Sequence, residues 1–165
     1  MSLMSSIPRA SDDLPGLTGH GADSTAPPTP RIPSHDFLEH TGEVHLRIRG
    51  GNLAEVFAEG ARALGHLCAP TGGPSGGTWH QIEVSAPDRA ALLVAWLNEL
   101  VFLAEEQHCA PREFVLDDLS RTHLRARVRG VPLEVGPSLV KAATMHGLRL
   151  EEVGGFLEAD VVIDV

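Results

Sequence analysis

With 165 residues, 42% of them apolar, the chain is long enough for one domain with a buried core. A net charge of −9 with a pI near 5.4 argues against a general nucleic-acid coat, because the whole-molecule field repels phosphate and leaves only a local basic face open. The two cysteines, Cys68 and Cys109, lack a C-x-x-C spacing, and no apolar run reaches the roughly 20 residues of a membrane span. Two reduced thiols, no membrane partner and a cytoplasmic location are therefore expected, since the N-terminus also lacks a secretory pattern.

Residues 1–34 are rich in Ser, Pro, Gly, Asp and Thr and carry no periodicity, which predicts a flexible N-terminal extension ahead of a domain over 35–165. Val44, Leu46 and Ile48 then alternate with His45, Arg47 and Arg49, the pattern of a strand with one buried face. Just ahead of it Glu39, His40 and Glu43 gather at a bend around Thr41-Gly42.

Asn52, with Glu55 three residues on, reads as a helix N-terminus. Leu53, Val56, Phe57, Ala61, Leu64 and Cys68 follow at helical spacing, and the helix is expected to stop before Pro70. The Gly-rich run over 71–78 has no Lys after its glycines, so it reads as a loop rather than a P-loop. A second strand is expected over 79–86.

Asp88 is a suitable N-cap for a long helix over 89–108, with Leu92, Leu93, Trp96, Leu97, Leu100, Val101 and Leu103 on its apolar stripe. Trp96 reads there as a packing residue, while Asn98 and Glu99 form a polar pair in an apolar surround. Pro111 is expected to end the helix.

A hairpin over 114–119 and 122–130 follows, with Leu124, Ala126 and Val128 inward and Arg125, Arg127 and Arg129 outward. Arg47 and Arg49 could extend that arginine surface, either a solvated sheet face or a basic landing surface for RNA or an acidic partner. After a connection over 131–138, strands are expected over 141–150 and 156–165. On the last, Leu157, Ala159, Val161, Ile163 and Val165 share one face, and Asp160 and Asp164 project from the other. The order of elements indicates an α+β fold: a mixed β-sheet with two helices packed on one face.

No nucleophile elbow, dinucleotide fingerprint or nucleotidyl-transfer lysine motif is present, so covalent catalysis by the chain itself is not expected. The carboxylates are the better lead. Glu43, Asp164 and Glu39 could together hold a divalent cation such as Ca²⁺, Mg²⁺ or Mn²⁺, with backbone carbonyls near Thr41-Gly42 and the chain end completing the shell. Solvated or Arg-paired acids are the plainer alternative. His40 reads as a hydrogen-bonded structural residue, and His45, His123 and His146 all fall on expected strands.

Five segments in order carry a family resemblance: E-H-T-G-E-V at 39–44, A-W-L-N-E-L-V-F-L at 95–103, R-A-R-V-R-G at 125–130, L-V-K-A-A-T-M-H-G-L at 139–148 and V-V-I-D-V at 161–165. Jointly they resemble archease. The resemblance implies a small α+β accessory protein, itself not an enzyme, that promotes guanylylation and multiple turnover of an RtcB-type RNA ligase in tRNA splicing and RNA repair. RNA would be met indirectly, through the ligase, and the protein would bind no nucleotide of its own.

By motif the family's metal-binding acids fall on Glu43 and Asp164, with Glu39 at the acidic position before the His. The implied ion is a divalent cation, Ca²⁺ ahead of Mg²⁺ or Mn²⁺. Lys141, His146 and His40 fall where partner or phosphate contacts are implied. Glu43 stands where the family pattern has Asp, and His45 where it has Gly, so the oxygen ligand gains a methylene of reach. The other readings are a chaperone-like modulator of a tRNA-modifying enzyme such as a methyltransferase, and a metal-dependent phosphoesterase using the same acids with His40 and His146.

Overall fold

A computed structural model of the protein describes residues 32–134 and 139–165. The expected extension, as far as residue 31, and positions 135–138 of the connection lie outside the described residues. Among the described residues nine elements follow in order: β1 (Ser34–His40), β2 (Glu43–Gly50), α1 (Leu53–Cys68), β3 (Gly76–Ser85), α2 (Arg89–Glu106), β4 (Cys109–Leu119), β5 (His123–Pro132), β6 (Ala142–Val153) and β7 (Phe156–Asp164).

Both helices start where their caps predict. The Asn52 side chain accepts from the Glu55 N–H at 2.9 Å, and the Glu55 carboxylate reaches back to accept from the Gly51 N–H at 2.6 Å. Asp88 accepts from the Ala91 N–H at 2.8 Å. The end of α2 differs from expectation. The helix stops at Glu106, and His108, at φ 47°, turns the chain before Pro111 is reached. Pro111 instead sits inside β4, an edge strand, where a missing N–H is tolerated.

The α+β class and the two helices are as expected, but the strands form two antiparallel sheets rather than one mixed sheet. Their orders are β1-β2-β7-β6 and β3-β5-β4. The reason lies in α2. Its buried residues Leu92, Leu93, Val94, Trp96, Leu97, Leu100, Val101, Leu103 and Ala104 spread over more than half the helix circumference, more than one sheet face can cover. Both helices accordingly touch strands of both sheets. Leu46, Ile48, Phe57, Trp96, Leu97 and Ile163 are fully buried in the shared core, and the Trp96 indole N–H donates to the Phe57 carbonyl at 3.0 Å.

Strand β1 adds a partner for β2 that the sequence pattern did not show. The two form a hairpin around Thr41-Gly42, with Gly42 at φ 80° supplying the left-handed conformation the turn requires.

Candidate functional site

The outer face of the four-stranded sheet carries a ladder of charges across β2 and β7. Arg49 stands opposite Glu158 and Arg47 opposite Asp160, and each pair is closed by a hydrogen bond, at 2.6 and 2.8 Å. At the end of the same ladder, Glu43 stands directly opposite Asp164. The neighbouring Val165 N–H bonds to the Gly42 carbonyl, which makes Glu43–Asp164 a non-hydrogen-bonded pair, the kind whose Cα atoms lie about 4.5 Å apart. Like charges directly opposite repel. The ladder is thus matched in sign along its length and mismatched at one end.

The lysine beside that mismatch bonds to backbone rather than to either carboxylate. Lys141, the only lysine in the chain, donates its backbone N–H to the Asp164 carbonyl at 2.8 Å and its Nζ to the Val165 backbone oxygen at 3.1 Å. Two residues on, the Asn98 side chain of α2 binds both backbone groups of Ala143 and fixes this part of β6.

The remaining predicted residues divide by face. His40 is the direct partner of Glu43, and its ring lies 4.8 Å from that of His45, whose Nε2 is 3.8 Å from the Glu43 carboxylate. The expectation of a hydrogen-bonded structural role for His40 gives way to an exposed ring on the acidic face. His146 occupies a bulge of β6 between Thr144 and Arg149 and lines a groove of about 240 Å³ with Leu38, His45 and Val162. Bulges of this sort re-aim side chains.

Glu39 does not join them. It pairs with Val44, whose side chain points into the core, so Glu39 projects from the opposite face of the sheet. His123 belongs to the other sheet, beside Ser85 and Glu83.

The proposed arginine surface is also divided. Arg47 and Arg49 lie on one sheet, and Arg125, Arg127 and Arg129 on the other. Arg127 is paired with Asp117 at 2.8 Å and Arg129 with Glu113 at 2.6 Å, so two of the three outward arginines of β5 are matched by an acid. The hydrogen bond from Arg127 holds the Asp117 carboxyl below its usual range.

Glu43, Asp164 and the Val165 carbonyl are hard oxygen donors, which fits Ca²⁺, Mg²⁺ or Mn²⁺ in kind. Among the described residues no group of three or more His, Cys, Asp or Glu converges on one point. An ion here would lean on two carboxylates and keep much of its water, and it would compete with Lys141 for the Val165 oxygen.

Against known proteins, the archease protein family (MTH1598/TM1083) matches residues 35–165. The chain belongs to the archease family. It is 29% identical to the archease of Methanosarcina acetivorans over 142 residues, covering 79% of this chain and 95% of that one. To the archease of Methanothermobacter thermautotrophicus it is 26% identical over 138 residues, 79% of this chain and 97% of that one.

Two solved folds are similar. The solution structure of Methanobacterium thermoautotrophicum protein 1598 gives a TM-score of 0.63 at 24% identity, covering 79% of this chain and 98% of that one. The crystal structure of an archease, possible chaperone, from Thermotoga maritima gives 0.56 at 20% identity, covering 78% and 94%. The family match therefore runs over nearly all the described residues, a range within which positions 43 and 164 fall. Among the described residues no helix is long and apolar enough to cross a membrane.

Proposed function

We propose that this protein is an accessory protein to an RtcB-type RNA ligase in the cytoplasm, promoting guanylylation of the ligase histidine and so its repeated turnover in tRNA splicing and RNA repair. The observation that supports this reading is the like-charge pair Glu43–Asp164 at the end of an otherwise sign-matched ladder. A fold that keeps two carboxylates face to face, half-exposed, holds a site ready for a cation or for a cationic partner surface.

In this account the pair, with His40 and His45 beside it, meets the nucleotide pocket of the ligase. A divalent ion bound there, Ca²⁺ ahead of Mg²⁺ or Mn²⁺, would supply a fixed positive charge next to the GTP phosphates. Lys141, tethered by β7, is the chain's own contribution: an ammonium close enough to exchange the Val165 oxygen for a phosphate oxygen. His146, on its exposed bulge, contributes to the contact face. RNA is reached only through the ligase.

The test is ligase–GMP formation with a cognate ligase, GTP and substoichiometric protein. Wild type is expected to raise the yield, and Asp164→Asn and Glu43→Gln to lose most of the effect. Variants as effective as wild type, or phosphodiester turnover by the isolated protein, would overturn the reading.

A further inference from the structure

At the opposite end of β1 the fold builds a second polar pocket, of about 380 Å³, lined by His35, Arg62, His66, Pro111 and Arg112. We propose that this pocket binds a phosphate-bearing small ligand through Arg62 and Arg112, with the His35 and His66 rings beside them.

Three constraints bring the lining residues together. Arg62 and His66 are four apart on α1 and so share a face. Gly65 lets β4 run hard against the helix, since a Cβ there would collide with the Pro111 carbonyl oxygen, and this brings Arg112 to the rim. His35 enters from β1 at the register of Ile48, on the core side of its sheet.

Two of these side chains are held from behind. Glu59, only 7% exposed, accepts from His35 Nδ1 at 2.7 Å and from Arg62 Nη1 at 2.7 Å. Arg62 also lies over the Phe114 ring, 5.4 Å from its centroid. A carboxylate only accepts, so Nδ1 carries the proton, and one buried acid orients an imidazole and a guanidinium. Arg112 is exposed and has no carboxylate partner among the described residues. Among the described residues no carboxylate lines the pocket itself.

That donor set favours an anion with several oxygens and more than one charge. A guanidinium fork matches phosphate oxygens in pairs, and the volume exceeds what one phosphate fills, so a pyrophosphate or the phosphate tail of a nucleotide fits better than an isolated ion. The pocket does not depend on the acidic pair. His35 and His40 are five residues apart on one strand, roughly 16 Å at about 3.3 Å per residue, and Glu43 projects from the other face.

The experiment titrates the full chain with inorganic phosphate, pyrophosphate and GTP, without divalent ions, by calorimetry and by the imidazole NMR signals. Saturable binding that moves the His35 and His66 signals is expected. Arg112→Gln should weaken it at least about tenfold, Arg112→Lys by less, and Asp164→Asn not at all. Similar affinity for all three probes assigns the site to phosphate itself, and tighter GTP binding assigns it to a nucleotide's phosphates; both support the proposal. No saturable binding up to about 10 mM of any probe, or wild-type affinity in Arg112→Gln, overturns it. Because Arg112 is exposed, its substitution leaves the core intact.

Discussion

Asn98 and Ala143 are joined as if they were neighbouring strands. The Asn98 amide donates to the Ala143 carbonyl at 3.0 Å and accepts from its N–H at 2.8 Å, so a helix side chain completes the hydrogen bonding of edge strand β6. The clamp sits two residues along the chain from Lys141, whose own bonds run to Asp164 and Val165. Asn98→Ala is expected to cost about 1–3 kcal/mol in urea unfolding, since two partly buried backbone groups lose their partner. Faster amide exchange at Ala143 would locate the loss. An unchanged stability would mean that the clamp contributes nothing.

The opposed acids make an unusual prediction about stability. Removing one charge relieves repulsion, so Asp164→Asn should stabilise the metal-free protein by about 0.2–1 kcal/mol. Ca²⁺ should raise the melting temperature of wild type and leave that of the variant unchanged. Thermal melts with a chelator and then with excess Ca²⁺ measure both effects on one sample.

Cys68 gives the molecule a defined alkaline limit. Burial, with Glu105 nearby, pushes its thiol from an ordinary 9.0 up to about 11. The folded state holds the proton more tightly than the unfolded state does. The associated stability is therefore complete below pH 9 and lost as pH rises towards about 11. With no tyrosine and one lysine in the chain, few other groups titrate in that window. Cys68→Ala should flatten the decline, leaving the smaller share from Cys109, whose thiol is also raised by burial.

Much of this was legible in the sequence, because helices and strands with one buried face advertise their period. Asn52 and Asp88 marked two helix starts, and the alternation from Leu157 to Ile163 marked the last strand. The convergence of Glu43 and Asp164 followed from motif position. What failed was parity and long-range pairing. Glu39 is separated from Glu43 by a two-residue turn, and the resulting hairpin register sends it to the other face. The arginines looked free because their partners, Asp160, Glu158, Asp117 and Glu113, come from other strands. Likewise, nothing local to Asn98 or Lys141 announces contacts 45 and 24 residues away.

The most direct measurement compares two acids of one strand that project from the same face. Asp160 is matched by Arg47, whereas Asp164 faces Glu43. Ligase–GMP yield should fall by about tenfold or more with Asp164→Asn, as for loss of a charge-assisted contact, and stay near wild type with Asp160→Asn. Equal losses in both, or none in Asp164→Asn, would contradict the assignment of the working site to the opposed pair.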